Sequence, residues 1–128
     1  MKISLIICSR NRAERLRKSL RHLNMVEAPE CLVEVVVVDS FSTDETSSVI
    51  KEFGAISKFP VKTARIERPG LGYARNCGIK SCDGDIVSFT DDDCELDKNY
   101  FKALQKAFTP ETFLYGAGQI VISDESLD

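Results

Sequence analysis

Short runs of Val, Ile and Leu recur along this chain, and each is followed by a segment whose apolar residues return at helical spacing. Ile3 to Cys8 reads as a strand, and Ala13, Leu16, Leu20 and Leu23 then share one face of a helix. Leu32 to Val38 is a second strand. Ser42 and Glu45 have the spacing of a capping box, opening a helix that would bury Val49, Ile50 and Phe53. Val61 to Ile66 is the third strand. Beyond Pro69-Gly70-Leu71-Gly72, a helix carrying Ala74, Cys77, Ile79 and Cys82 leads through a turn at Asp83-Gly84 into a fourth strand, Asp85 to Phe89. Asp97 is placed to cap a last helix with Phe101, Leu104 and Phe108 facing inward, and Phe113 to Ile122 would add a further strand.

Strand runs without polar alternation imply a sheet covered on both faces. The predicted fold is therefore α/β: a three-layer α/β/α, Rossmann-like, mostly parallel sheet in a single domain spanning residues 1–128. An apolar content of 43% suffices for one such core. A formal charge of −3 provides no basic field, so nucleic acid is not an expected partner. Apolar runs such as Val35 to Val38 are far shorter than the roughly 20 residues that cross a bilayer, and the opening Met1 to Cys8 lacks a cleavable signal layout. No membrane span and a cytosolic location are the expectations. Five cysteines in no zinc-like spacing fit reduced thiols.

In sheets of this kind, ligands gather outside the carboxyl ends of the strands. A polar cluster follows each strand: Cys8-Ser9-Arg10-Asn11, Asp39-Ser40, Arg68 to Gly72, and Asp91-Asp92-Asp93. Three adjacent carboxylates behind a buried strand repel one another unless a cation or donor groups compensate them. Extended geometry puts Asp91 and Asp93 on one side and Asp92 on the other. Hard oxygens of this kind suit Mg²⁺ or Mn²⁺ with positions left for phosphate oxygens, while a solvated acidic loop is the plainer alternative. Asp39 offers acceptors for the ring N–H of a uracil or guanine, although with Ser40 and Ser42 it equally fits a role in the turn. If the first strand is central, Asp39 and the acidic run stand about 10 Å apart, a span suited to a nucleotide. Gly70 and Gly72 precede a helix start near Arg75, where backbone N–H groups and a cation can meet a phosphate. This element is not a dinucleotide fingerprint, since the third glycine is missing. Arg10 and Arg12 lie near the same edge, with the remaining basic residues of the first helix on its solvated face. His22, the only histidine, has no nucleophile motif to pair with and reads as structural.

Taken together, four motifs resemble the nucleotide-binding half of a family 2 glycosyltransferase, the GT-A fold. Ser4 to Arg12 resembles its opening strand and turn, Asp39 to Asp44 its D-x-x-S-x-D element, Gly72 to Gly78 its G-x-x-A-R-N-x-G, and Gly84 to Asp93 its G-D-x-x-x-x-x-D-x-D. The resemblance implies transfer of a sugar, with inversion, from a nucleoside diphosphate sugar, UDP-linked by the family pattern, to an acceptor hydroxyl. It assigns the base to Asp39, base and ribose to the Cys8-Ser9-Arg10 region and Ser40, the nucleotide or diphosphate to Gly72 and Arg75, the ribose to Asp92 or Asp91, and Mn²⁺ or Mg²⁺ to Asp93 with Asp91. Relatives carry a general base well beyond the metal motif. Asp124 and Glu125 come too early to match it, so this chain is expected to bind donor but to transfer sugar weakly or not at all by itself. Ser40 and Phe41 stand where relatives commonly have an acidic and a small residue. A sugar nucleotidyltransferase or a non-catalytic nucleotide-binding module are the alternatives, but the former resembles a glycine-rich opening that Cys8 to Arg12 does not have. An aspartyl phosphotransferase resembles D-x-D-x-T, and Glu95 occupies its Thr position.

Overall fold

A computed structural model describes residues 1–108. The predicted strand Phe113 to Ile122, together with Asp124 and Glu125, lies outside the described residues. The element order is β1 (Lys2–Ser9), α1 (Ala13–Leu23), β2 (Leu32–Ser40), α2 (Thr46–Ile56), β3 (Val61–Ile66), α3 (Leu71–Ser81), β4 (Ile86–Asp91) and α4 (Tyr100–Ala107). The strands form one parallel sheet in the order β3-β2-β1-β4. The α/β class, the parallel sheet and the central place of β1 all match the sequence-based expectation.

Alternation across the pleat divides the core. Ile3, Leu5, Ile7, Val33, Val35 and Val37 face α1, α2 and α4, whose Leu16, Leu20, Val49, Phe53 and Phe101 complete the larger cluster. Ile6, Val36 and Val38 face α3 and pack on Ala74. Gly78 is what allows α3 to lie so close, because a Cβ there would stand 2.5 Å from Cγ2 of Ile6. Val35 to Val38 are fully buried, as expected of strands with helices on both sides.

Helix starts depart from their predicted chemistry. Ser42 and Glu45 do not form a capping box: the Ser42 hydroxyl accepts from the Asn11 N–H at 3.0 Å, and Asp44 instead accepts from the Thr46 N–H at 2.9 Å. A loop from another strand offered Ser42 a better-placed donor than its own helix did. Asp97 likewise acts one turn early, its carboxylate accepting from the Asn99 N–H at 2.8 Å before α4 begins at Tyr100. Both β2 and β4 run further than the apolar pattern indicates, because parallel pairing carries through Ser9↔Asp39 and Cys8↔Asp91. Asp85 precedes β4 and accepts from the Lys2 N–H at 2.9 Å.

The amino end of the sheet holds a polar cluster absent from the sequence reading. Glu34, only 1% exposed, accepts from the Ser4 hydroxyl at 2.6 Å and from the Asp83 N–H at 2.9 Å, and pairs with Lys62 at 3.0 Å and Lys2 at 3.4 Å. Asp83 in turn bridges the same two lysines. Burial pushes the Glu34 carboxyl upward, yet the bonds from Ser4, Asp83 and Lys62 and the charge of Lys2 outweigh it and hold the group below 4.5. Asp83 is held down at about 2, chiefly by its bonds to Lys2 and Lys62. Carboxyls depressed in the folded state stabilise it above their unfolded values and lose that contribution as pH falls. The melting temperature is therefore expected to drop as pH is lowered from about 4.5 toward 2. Glu34→Gln should cost about 1–3 kcal/mol at neutral pH and flatten that acid limb, as thermal melts across the range will read.

Candidate functional site

The register of the sheet brings the expected residues to one level. Ser9 pairs with Asp39 and Cys8 with Asp91, so three adjacent strands end together. With β1 between them, Asp39 and Asp91 are separated by two interstrand spacings, about 10 Å. Winding proceeds from β1 to β2 to β3 and then returns to β4 on the far side of β1, so strand order reverses between β1 and β4. That reversal is where sheets of this class open a crevice.

The three aspartates divide their tasks. Asp92 turns inward and is 6% exposed, accepting from the Ser9 hydroxyl at 2.8 Å and from Arg12 Nη1 at 3.2 Å. Its carbonyl accepts from the Ser19 hydroxyl of α1 at 2.7 Å. The Asp92 side chain thus faces the fold. Asp91 and Asp93 are exposed, and ligand atoms of Asp91, Asp93 and Cys94 all lie within 4.8 Å of one another. Two carboxylates at this separation fit a hard divalent cation, whereas the soft Cys94 sulfur suits Mg²⁺ or Mn²⁺ poorly. Arg12 and Arg15 approach Asp93 at 3.6 and 3.9 Å, relieving part of the repulsion in the acidic run.

Asp39 is 3% exposed, and each of its oxygens takes one donor from the protein. One carboxylate oxygen accepts from the Ser42 N–H at 3.1 Å and the other from Arg65 Nη1 at 2.5 Å. Asn11 then links the first two loops: its side-chain oxygen accepts from the N–H groups of Thr43 at 2.7 Å and Asp44 at 3.3 Å, while Asp44 reaches back to the Ala13 N–H at 3.3 Å. This arrangement requires Asn11 at φ 50° and Phe41 at φ 58°, in the left-handed region. Asparagine tolerates it; the bulky Phe41 costs about 1–2 kcal/mol there and lies under the Arg10 guanidinium, 5.6 Å from its ring centroid. Ser40 is buried beside Asp39.

Across β1, Cys8 is half-buried, and burial raises its thiol to about 11 despite the opposing charge of Arg75. Arg75 extends from α3 over Phe89, 5.8 Å from the ring centroid. At the start of α3, Gly70 has φ 129°, which only glycine adopts readily, and a Cβ there would stand 2.8 Å from the Tyr73 ring. Gly72 has open space around it, so packing does not demand a glycine at that position. His22 Nε2 contacts the Leu96 carbonyl at 3.2 Å and is half-buried. One depression of about 560 Å³ lies among Asn11, Arg12, Arg15 and Asp44, and another of about 450 Å³ is lined by Asp39, Ile50, Val61 and Arg65. Neither includes Asp91 or Asp93 in its lining.

The profile described as glycosyl transferase family 2 matches residues 4–127. The chain belongs to that family. An uncharacterised glycosyltransferase of Bacillus subtilis, YfnE, is 39% identical over 119 residues, covering 92% of this chain and 30% of its own length. The poly(ribitol-phosphate) β-N-acetylglucosaminyltransferase TarS of Staphylococcus aureus is 32% identical over 104 residues, covering 80% of this chain and 18% of the relative. The chain therefore spans less than a third of the length of these relatives. A crystal structure of TarS residues 1–349 with UDP-GlcNAc superposes with a TM-score of 0.72 at 30% identity, covering 83% of this chain and 30% of that one. The mannosyltransferase PcManGT of Pyrobaculum calidifontis, in complex with GDP-Man and Mn²⁺, superposes with a TM-score of 0.75 at 27% identity, covering 84% and 32%. The family and its GT-A fold are those that the four sequence motifs imply.

Sequence reasoning overlooked Arg65 and the linking role of Asn11. Once β3 is paired with β2, Asp39 and Arg65 become an opposite-charge cross-strand pair, and that was the available signal. Asn11 carried none, since its role depends on two loops meeting in space.

The contrast between Asp92 and Asp93 is directly measurable. Asp92→Ala removes the acceptor for Ser9 and Arg12 and should lower stability by about 1–3 kcal/mol. Asp93→Ala alters only exposed ion pairs and should stay within about 0.5 kcal/mol of wild type in denaturant melts.

Proposed function

We propose that this chain is the donor-binding part of an inverting, metal-dependent glycosyltransferase that uses a nucleoside diphosphate sugar, with UDP as the nucleotide. The observation that carries the reading is the outward convergence of the Asp91 and Asp93 carboxylates at the level of Asp39, with β1 between them. Relatives described with UDP-GlcNAc and with GDP-Man and Mn²⁺ support the nucleotide-sugar class.

In this reading Asp39 accepts the ring N–H of the base, and the backbone from Cys8 to Arg10, with Ser40 beneath it, borders base and ribose. Asp91 serves both the ribose and the cation, and Asp93 is the principal ligand of Mn²⁺ or Mg²⁺. Asp92 holds these two in place through Ser9 and Arg12, which revises the ribose role that the family resemblance assigns it. Bound there, the cation would offset negative charge developing on the departing diphosphate. Arg75 and the N-terminal turn of α3 at Gly72 contribute positive charge and N–H donors on the same side. In-line attack by an acceptor hydroxyl needs a base on the opposite side of the sugar, and we assign it to a segment that follows the acidic motif in the longer relatives.

Calorimetric titration with UDP tests the assignment. Binding should require Mn²⁺ or Mg²⁺, and Asp93→Ala should weaken it at least tenfold while leaving the melting temperature unchanged. UDP affinity that ignores the metal, or that survives Asp93→Ala, overturns the proposal.

A further inference from the structure

The Asp39 carboxylate does not stand alone at the end of β2. Arg65, its cross-strand partner on β3, covers it: Nη1 donates to Asp39 Oδ2 at 2.5 Å, Nη2 to the Ser42 carbonyl at 3.1 Å and Nε to Glu67 at 2.8 Å. A guanidinium has five N–H groups. Three are engaged by these bonds, leaving one on each terminal nitrogen without a partner among them. The Arg65 side chain is 41% exposed, whereas that of Asp39 is 4% exposed. Anything that reaches the carboxylate from solvent therefore meets Arg65 beside it.

We infer that Arg65 is a specificity residue for the nucleobase, and that the Asp39–Arg65 pair selects uracil over guanine. This rests on the donor-binding reading above and narrows it. Asp39 accepts and Arg65 donates, so the pair matches a base edge on which a ring N–H lies next to a carbonyl oxygen. Uracil presents its N3–H between two carbonyl oxygens and satisfies the pair in either orientation. Cytosine and adenine present an unprotonated ring nitrogen, which would face the carboxylate acceptor against acceptor. Guanine has a ring N–H with a carbonyl on one side and an amino group on the other. A free carboxylate would hold both of those guanine donors, one on each oxygen. Here the Ser42 N–H already bonds one Asp39 oxygen and Arg65 the other, so the carboxylate is less open to two guanine donors at once than to the single N3–H of uracil, and turning guanine over brings its amino group against the guanidinium, donor to donor. Unpaired buried donors of this kind are costly, which is how a polar site discriminates between similar ligands.

The full chain is titrated with UDP and with GDP in saturating Mn²⁺, as wild type, Arg65→Ala and Arg65→Lys, with thermal melts as the folding control. Wild type should prefer UDP by roughly tenfold or more. Arg65→Ala should weaken UDP by about tenfold while GDP changes by less than about threefold, so the preference collapses; Arg65→Lys, which keeps a donor beside Asp39, should lie between. If the alanine variant does not fold, Arg65→Gln gives the same ratio with neutral donors. A purely structural ion pair would weaken both nucleotides by one factor. That result, an unchanged UDP-to-GDP ratio, or a wild-type preference for GDP overturns the inference while Mn²⁺-dependent nucleotide binding leaves the broader reading standing. Wild type that binds neither nucleotide, or binds without regard to the metal, overturns both.

Discussion

Parallel pairing of β1 with β2 on one side and β4 on the other is the constraint from which the site follows. A central strand buried on both faces cannot slip in register without sending its side chains to the wrong layer. Ile3, Leu5 and Ile7 are committed to one cluster and Ile6 to the other. Cys8 and Ser9 are then fixed at the carboxyl edge, and through them Asp91 and Asp39. Core packing therefore sets the span between two polar groups that are not themselves part of the hydrophobic core.

Charge is arranged with the same economy. Negative groups at this edge would destabilise one another, and the fold answers each differently. Asp92 is drawn inward by a hydroxyl and a guanidinium, Asp39 is neutralised by a neighbour on the adjacent strand, and Asp91 and Asp93 are left facing out. The outward pair is the one whose oxygens lie close together and exposed, as a hard cation requires. The protein thereby separates carboxylates that build the edge from carboxylates that present it.

Legibility from sequence followed the range of the interaction concerned. Among the described residues, strand and helix identities were readable because apolar periodicity is local, and the fold class followed because unalternated Val runs require cover on both sides. Strand alternation anticipates the division of Asp91 and Asp93 from Asp92, but β4 ends at Asp91, and it is the turn through Asp92 and Asp93, with Ser9 and Arg12 drawing Asp92 inward, that produces it. Features that depend on separate segments meeting were not. Ser42 looked like a cap because Glu45 follows it at the right spacing, yet its hydroxyl serves Asn11, which lies 31 residues away. Glu34 interrupts an apolar strand, and nothing local shows that Ser4, Lys62 and Asp83 converge on it. Arg65 belongs with these, since its significance appears only when β3 is aligned with β2.

The Glu34 cluster and Asp39 sit on one strand, five residues apart, so about 16 Å of rigid pleat separates the acid-labile anchor from the carboxyl edge. Substitutions at sites so far apart, with no shared partners, combine additively. Tolerance to low pH and the chemistry of the carboxyl edge are for this reason separately adjustable properties, and a variant hardened at the amino end should leave the far edge unaltered.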